Sequence, residues 1–341
     1  MAKLKVGVIG TGSIAKHRHL VEYARHHEVE IVAVCDINQA RAEEVGKSFG
    51  VTKTFTDYNE LLKEDLDAVS VCTPNYLHAP ISIAALQAGK HVLCEKPMAT
   101  SEEEANQMIE AAQKSGKTLM IGHNQRFVKS HQLAKEWIDS GKLGKVYSFR
   151  TAFGHPGPET WSAEGKDSWF FKKDEAFIGA MGDLGVHKTD LIRHILGEEI
   201  VEVAAMVETS AKENADVDDN AVLILKTESG IIGTLAASWS YNGTEDNSTV
   251  IYAENGVLRL EDDNEFSVVF HKKDHTKEEL NLGQIQSNDE GGQDTSGVID
   301  HFIESILTGK APLITGEEGK KSLLVILGAI KSNETKQIVK L

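Results

Sequence analysis

Short apolar runs alternate with stretches of helical periodicity through the first third of the chain. The runs are rich in β-branched residues, and each ends in a polar or glycine-containing turn, which is typical of buried strands. The predicted strands cover residues 6–9, 31–34, 51–55, 68–72, 91–94 and 118–121, and the predicted helices between them include 38–49, 57–63, 77–88 and 101–116. Strands separated by helices pair in parallel, because each helix carries the chain back across the sheet. The pattern therefore predicts an α/β unit with a doubly wound parallel sheet.

The pattern changes after Phe127, where most strands follow one another without a helix between them. A helix to about Ser140 and a strand over 146–153 precede a loop-like stretch, and another helix is predicted over 181–196. Further strands are predicted over 201–207, 221–226, 231–239, 249–252, 257–260 and 268–270, helices over 298–307 and 318–332, and polar loops over 211–219 and 274–297. Directly joined strands pair antiparallel. We therefore expect two domains, 1–122 and 123–341, the second an α+β domain with a large open, mainly antiparallel sheet.

The first strand runs into a glycine-rich turn that has the spacing of a dinucleotide-binding unit. Gly10 permits the tight turn, Gly12 permits close approach of a pyrophosphate, and Ala15 takes the third small position, where helix packs on strand. The N–H groups at the helix start would then face the phosphates. Asp36 ends the second strand 21 residues after Ala15, where a carboxylate can accept from both ribose hydroxyls. Residues 1–122 are therefore predicted to be a Rossmann domain.

Polar residues follow several of the predicted parallel strands. Ligands of such sheets bind beyond the carboxyl ends of the strands. We therefore expect one crevice to be shared by the strand-end groups, namely Asp36, Thr73–Asn75, Glu95–Lys96 and Asn124–Gln125.

Composition and charge exclude several classes of partner. The chain has 341 residues and a formal net charge of −16, which argues against nucleic acid and anionic membranes as partners. No signal peptide precedes the first strand, and no apolar run is long enough to cross a membrane. The three cysteines are too far apart for a metal motif, so we expect no metal, small buried thiols and a cytoplasmic location.

Lys96 is the first candidate for chemistry outside the glycine-rich turn. Its ammonium, at the carboxyl end of a strand, could hold a substrate hydroxyl and stabilise negative charge that develops on oxygen. From position alone, a surface lysine paired with Glu95 is an equally good interpretation.

A polar stripe on the helix predicted over 181–196 is the second candidate. Its members step by four, three and four residues: Asp183, His187, Asp190 and His194. Such a stripe is more often a solvated face than a site. Nearby glycines at 179, 182 and 185 favour a site, because helices avoid glycine unless something approaches closely. His187, oriented by Asp183 one turn away, would be a suitable general base.

These motifs together resemble the Gfo/Idh/MocA family, named for glucose–fructose oxidoreductase, inositol dehydrogenase and a rhizopine-catabolism protein. The resemblance covers nearly the whole chain. It rests on the turn Gly10–Ala15, Cys72–Asn75 with His78, Glu95–Pro97, Gly122–Phe127, the run from Gly182 to Asp190, and Gly309, Pro312 and Gly316.

The resemblance implies a role for each group of residues. Lys96, Asp183 and His187 would be the catalytic set, and a cis peptide would precede Pro97. The implied cofactor-binding residues are Gly10, Gly12, Ser13, Ile14, Asp36, Arg41, Thr73, Pro74, Asn75, His78, Glu95, Lys96 and Asn124. The substrate-binding candidates are Lys96, Gln125, His155, Trp161, Asp183 and His187.

Three functions are compatible with these residues. The leading hypothesis is an oxidoreductase that transfers a hydride between NAD and a secondary alcohol or ketone of a sugar, polyol or inositol-like substrate. An NAD-dependent glycosidase and a non-enzymatic dinucleotide-binding regulator are the alternatives. Regulators of this family tend to lose the lysine and the histidine, and this chain keeps Lys96 and His187. The enzyme hypothesis is therefore preferred.

Asp36 favours NAD over NADP, because a carboxylate would repel a 2′-phosphate without compensation. Arg41 is close enough in sequence to reach the ribose, so NADP stays open. Apolar alternation over 222–225 and 231–236 indicates that neither face of the large sheet is wholly solvated. A homodimer or homotetramer built on that sheet is the expected assembly.

Overall fold

The structure is a computed structural model that describes residues 3–283, 285 and 295–341. The described residues form two compact units. The first comprises residues 3–123, 161–164 and 295–320, and the second residues 124–160, 165–283 with 285, and 321–341. The division of the chain into domains at residue 122 stays a prediction.

The first unit contains a six-stranded sheet. Its strands are β1 (Leu4–Ile9), β2 (Val29–Cys35), β3 (Lys53–Phe55), β4 (Ala68–Val71), β5 (His91–Cys94) and β6 (Leu119–Ile121). All neighbours pair in parallel, in the order β3-β2-β1-β4-β5-β6. This order confirms the predicted doubly wound sheet. Strand numbers fall from β3 to β1 and then rise from β4 to β6, so the order of the strands reverses between β1 and β4. Ligands of such sheets bind at this point.

The helices of the sheet connections lie close to their predicted positions. A π-helical turn at Ala15–His19 leads into α1 (Leu20–Arg25), followed by α2 (Gln39–Ser48), α3 (Tyr58–Leu61), α4 (His78–Gln87) and α5 (Glu102–Ser115). The cap of α5 explains its start, because the Ser101 hydroxyl accepts a hydrogen bond from the Glu104 N–H. Gly116 ends this helix in the left-handed region, at φ 65°.

The second unit contains a nine-stranded sheet. Its strands are β7 (Val146–Gly154), β8 (Ile200–Glu208), β9 (Asn220–Thr227), β10 (Ile232–Ser238), β11 (Thr249–Ala253), β12 (Gly256–Leu260), β13 (Val268–Lys272), β14 (Lys277–Leu280) and β15 (Val339–Lys340). Their order is β14-β13-β12-β11-β7-β10-β9-β8-β15. Among the described strands of this second sheet, only β7 and β10 pair in parallel, so the sheet is mainly antiparallel, as predicted.

Two strands of this sheet lie outside the predicted ones. The prediction of a loop over 274–297 is wrong at β14, because Lys277–Leu280 pairs with β13. The strand was missed because its first three residues are all charged, so it shows no hydrophobic alternation. Part of that predicted loop lies outside the described residues. The C-terminal β15 was also not predicted, because two residues show no period.

The remaining helices are α6 (Lys129–Asp139), α7 (Lys173–Ala176), α8 (Val186–Leu196), α9 (Val298–Thr308) and α10 (Gly316–Thr335). The core of the second unit lies between one face of the large sheet and helices that include α6 and α8. Phe149 and Leu235 contribute from the sheet, and Trp137 and Ile192 from the helices. In the described part of the chain, no helix is long and apolar enough to cross a membrane.

Candidate active site

The glycine-rich turn of the first unit has the backbone geometry that a bound pyrophosphate requires. Gly10 has φ +87°, and a Cβ built on it would lie 2.4 Å from the carbonyl oxygen of Cys72. Only glycine therefore fits where β1 and β4 approach each other. A Cβ on Gly12 would meet no atom within 4 Å, so the space above that residue is open. The turn leads into the helical segment that begins at Ala15.

Asp36 lies at the end of β2 and is 6% exposed. Its Oδ2 accepts hydrogen bonds from the N–H and the hydroxyl of Thr11, both at 2.9 Å. The Arg41 guanidinium donates to both carboxylate oxygens, at 2.9 and 3.0 Å, and Asn38 donates its N–H. Burial raises the pKa of Asp36, but these hydrogen bonds outweigh burial and hold it below its ordinary value. The carboxylate that was predicted to face the ribose thus also fixes the glycine-rich turn and Arg41.

The neighbouring strand ends add polar groups to the same edge of the sheet. The buried hydroxyl of Thr73 has no hydrogen-bond partner among the described residues. His78 is buried, with Nδ1 2.7 Å from the Pro97 carbonyl oxygen and Nε2 2.8 Å from that of Thr73. It therefore braces the loops after β4 and β5, and its predicted contact with a cofactor stays a prediction.

Glu95 pairs with a histidine that no sequence motif identified. Its Oε1 lies 2.8 Å from Nε2 of the fully buried His19, whose Nδ1 contacts Ser70 at 3.0 Å. Burial opposes charge on both groups, yet the contacts of His19 with Cys72 and Glu95 raise its pKa well above the ordinary value. The pKa of Glu95 is correspondingly lowered by His19. Glu95 is thereby held in place directly before Lys96.

Lys96 is half-buried at the end of β5, and its backbone N–H donates to Oε2 of Glu95 at 3.3 Å. The peptide bond between Lys96 and Pro97 is cis, as the resemblance implied. The backbone position of Lys96 is thus fixed by its own strand and by Glu95.

In the second unit, Asp183 and His187 lie on the helical segment formed by a π-helical turn at Met181–Gly185 and α8. Asp218 anchors the start of this segment. Its carboxylate accepts from the N–H groups of Gly179 at 2.8 Å and Met181 at 2.7 Å, and burial raises its pKa to about 6. A Cβ on Gly179 would lie 1.8 Å from the Asp218 carbonyl oxygen, so that glycine is required by close approach.

Asp183 is buried and does not belong to a solvated face. Its Oδ2 accepts a hydrogen bond from the indole N–H of Trp239, at 3.2 Å. Trp239 is itself fully buried at the end of β10. The ring centroids of His187 and His155 lie 5.8 and 6.0 Å from that of Phe153. The structure therefore gathers Asp183, His187 and His155 in one region of the second unit.

A buried ion pair fixes α8 on the turn that carries Gln125. Arg126 donates through Nε and Nη2 to both carboxylate oxygens of Asp190, each at 2.7 Å. Asp190 also accepts from the hydroxyl of Ser322 at 3.0 Å, which in turn accepts from Arg193 at 2.8 Å. Asp190 thus stabilises the fold. The polar stripe predicted from the sequence therefore combines a structural residue, Asp190, with the candidates for chemistry, Asp183 and His187.

Lys188 lies directly after His187 and is completely buried. Its ammonium donates to the carbonyl oxygen of Asn247 at 2.7 Å. The Asn247 side chain accepts from the Gln125 amide at 3.1 Å, so both residues hold the same loop. Oε1 of Gln125 is buried with no hydrogen-bond partner in the described part of the chain. Burial lowers the pKa of Lys188 to about 7, although nearby acidic groups act in the opposite direction.

This burial gives a testable dependence of stability on pH. Between about 7 and the ordinary value of 10.5, the unfolded chain binds a proton that folded Lys188 releases. The free energy of unfolding should therefore rise with pH across this window. Lys188→Met should remove that rise, measured as the difference in urea midpoint between pH 7 and pH 9. The matched control is Thr189→Val, a buried change one residue along α8 that should keep it. If the stability of Lys188→Met rises with pH as much as that of wild type, the pKa of Lys188 is not lowered by burial.

The segment 161–164 belongs to the first unit, whereas the residues on either side of it in sequence belong to the second. The Ser13 hydroxyl donates to the Trp161 carbonyl oxygen at 2.7 Å, and Arg41 is paired with Glu164. Trp161 was predicted to bind substrate, which stays a prediction. Several supporting residues of the two units were missed, because each acts through a partner distant in sequence: His19, Arg126, Glu164, Asp218 and Trp239. A large aromatic residue at the end of a predicted strand was the only signal for Trp239.

Two family models match parts of the chain. The family described as "Oxidoreductase family, NAD-binding Rossmann fold" matches residues 4–123. The family described as "GFO/IDH/MocA C-terminal domain" matches residues 131–259.

The chain is also similar to characterised proteins along most of its length. It is 29% identical to myo-inositol 2-dehydrogenase of Thermotoga maritima, covering 99% of this chain and 98% of that protein. It is 30% identical to levoglucosan dehydrogenase of Pseudarthrobacter phenanthrenivorans, covering 79% and 77%. A solved structure of levoglucosan dehydrogenase with NADH and L-sorbose superimposes with a TM-score of 0.86 at 26% identity, covering 100% of this chain and 99% of that one.

Proposed function

Because the chain belongs to the Gfo/Idh/MocA oxidoreductase family, we propose that it interconverts a secondary alcohol and its ketone on a sugar, polyol or inositol-like compound. The chain is a dehydrogenase, and its cofactor is NAD. The substrate class is proposed from the relatives, which are named for inositol and levoglucosan. The cytoplasmic location stays a prediction.

The residues of the first unit fit a dinucleotide. The open space above Gly12, the helix start at Ala15 and the unpartnered buried hydroxyl of Thr73 provide donors and room for phosphates and a polar ring. When bound, NAD would supply the two-electron oxidant for the substrate carbon. The chain's own groups then have to hold the substrate and move a proton.

The observation that carries the mechanism is the position of Asp183 and His187 on one helical segment anchored by Asp218 and Arg126. We assign proton transfer at the substrate hydroxyl to His187. Asp183 orients the substrate or the imidazole, and Trp239 fixes one of its oxygens. Such anchoring reduces the reorganisation needed during reaction.

Lys96 is assigned to the substrate oxygen. An ammonium there would stabilise the negative charge that develops as the hydroxyl proton leaves. It is a poor proton acceptor while it is charged, which is why the base role falls to His187. Gln125 and His155 are assigned to substrate binding, because a buried amide oxygen and an imidazole suit the hydroxyls of a polyol.

A substrate screen tests the proposal. Sugars, polyols and inositols would be incubated singly with the protein and NAD, and reduced nicotinamide would be followed by absorbance. At least one compound should give sustained NADH formation. Ketone reduction with NADH should work on the product of that compound. Absence of turnover with every member of these classes, in both directions, would contradict the proposed substrate class.

We also propose that the large sheet forms a homodimer or homotetramer interface. One face of the sheet exposes large apolar side chains on three neighbouring strands: Met206, Val222, Ile224 and Ile232, which are 80%, 54%, 52% and 52% exposed. The register places Met206 beside Val222 and Ile232 diagonally beside Ile224, so these residues form a continuous patch. Contiguous exposed apolar patches mark interaction surfaces.

Charge introduced into this patch should separate the subunits. Val222→Lys with Ile224→Lys should reduce the mass measured by light scattering to that of one chain, because lysines in an apolar interface are costly to desolvate. Leu307→Lys is the control, since Leu307 is 50% exposed on α9 of the first unit. A wild-type protein that is monomeric at micromolar concentration would refute the proposed assembly.

A further inference from the structure

Three charged side chains of the first unit form one cluster at the end of β2: Asp36, Arg41 and Glu164. Arg41 donates through Nε and Nη2 to Asp36 and through Nη1 to Glu164. Hydrogen bonds and charge from both carboxylates outweigh burial and raise the pKa of Arg41 above its ordinary value. With both acids ionised at neutral pH, the cluster carries a net charge of −1.

Glu164 reaches this cluster through the segment 161–164. The Ser13 hydroxyl, within the glycine-rich turn, holds the Trp161 carbonyl oxygen at 2.7 Å. Glu164, three residues further, pairs with Arg41 on α2. The segment is therefore attached both to the turn that fits a pyrophosphate and to the residues that fit the adenosine ribose.

We propose that Glu164 is a specificity-determining residue for the nucleotide, which withholds Arg41 from a 2′-phosphate and so favours NAD over NADP. This inference rests on the proposed function, in that it concerns the same dinucleotide site. Arginine is the side chain that takes the 2′-phosphate in NADP-binding relatives of this fold, and it does so through a free guanidinium edge. Here the Nε–Nη2 edge of Arg41 binds Asp36, and its remaining Nη1 binds Glu164.

Charge supports the same conclusion. Asp36 cannot be neutralised easily, since it accepts from Thr11, Asn38 and Arg41 at once. A phosphate would therefore meet two carboxylates and one guanidinium. Replacing Glu164 with glutamine makes the cluster neutral and weakens the contact with Arg41 Nη1, because an amide oxygen accepts less strongly than a carboxylate, while the ribose-facing Asp36 remains unchanged.

The test compares 5′-AMP with 2′,5′-ADP, which differ only in the 2′-phosphate, by isothermal titration calorimetry. Wild type should bind 5′-AMP more tightly. Glu164→Gln should bind 2′,5′-ADP roughly tenfold more tightly than wild type does, with less than a twofold change for 5′-AMP. Glu110→Gln is the matched control, because Glu110 is an exposed acid of the same unit that pairs with Lys114 on α5. It should leave both affinities unchanged.

A double variant identifies the group that takes the phosphate. Arg41→Met with Glu164→Gln should lose the gain in 2′,5′-ADP affinity. The proposal is overturned if Glu164→Gln keeps the wild-type ratio of the two affinities, or if the gain persists in the double variant. Both nucleotides are titrated without a sugar substrate, so the result does not depend on whether the protein oxidises any sugar. Failure of this proposal and failure of the proposed function are therefore distinguishable.

Discussion

Replacing His187 with glutamine should lower kcat by roughly 10²–10⁴-fold, the usual contribution of a positioned general base. Glutamine keeps the size and polarity of the side chain but cannot take up the proton. Binding of NAD should change little, because His187 lies in the second unit and the glycine-rich turn in the first. Steady-state kinetics with the substrate from the screen, together with titration of NAD, would measure both quantities.

The dependence of the oxidation rate on pH identifies the side chain that acts as the general base. His187 must be neutral to accept a proton, so wild-type oxidation should rise with pH through the range of about 5–8 in which imidazole titrates. Ketone reduction should show the opposite trend, because it needs the protonated form. The rate of His187→Gln should not fall at acidic pH. Lys96→Met should be slow, but its rate should still fall at acidic pH as that of wild type does. If His187→Gln keeps the fall in rate at acidic pH and most of the activity, the base lies elsewhere. His155 and Tyr241, whose ring packs on Gly154 at the end of β7, are the next residues to test.

Replacing Arg126 with methionine should destabilise the protein by about 3–5 kcal/mol, the typical cost of removing one partner from a buried ion pair. Asp190 would lose two hydrogen bonds of 2.7 Å in a site where both side chains are nearly inaccessible, 3% and 1% exposed. The free energy of unfolding in urea measures the loss.

The double variant Arg126→Met with Asp190→Leu should recover part of that loss, since it leaves no carboxylate buried without its guanidinium. Lys135→Met is the control, because Lys135 forms an exposed pair with Asp139 on α6 and such pairs contribute little. A single variant as stable as wild type would show that the Arg126–Asp190 pair does not hold α8.

The fold was predictable where the hydrophobic pattern of a segment and the turn residues at its ends indicate the same element. The six parallel strands follow from β-branched runs that end in turns, and the strand order follows from the general rules for such sheets. Lys277–Leu280 and Val339–Lys340 were not found, because edge strands of polar or very short sequence carry no hydrophobic period. Their existence depends on a neighbouring strand that the local sequence does not describe.

The candidate site was predictable only in its local parts. Lys96, Asp183 and His187 follow motifs and spacing, but their supports come from distant segments: His19 for Glu95, Trp239 for Asp183, and Glu164 for Arg41. Asp190 shows that helical spacing alone cannot separate a structural residue from a candidate catalytic one. It shares a helical face with His187 in sequence, and only the structure reveals that Arg126 occupies its carboxylate.

The most direct test of the account is the stoichiometry of NADH and ketone formed from one sugar or polyol by the wild-type protein. A dehydrogenase should form one NADH per ketone over many turnovers, and both His187→Gln and Lys96→Met should slow this formation greatly. Cleavage of a glycoside without net NADH would instead identify an NAD-dependent glycosidase. That result, or full NADH formation by the His187→Gln protein, would contradict the account.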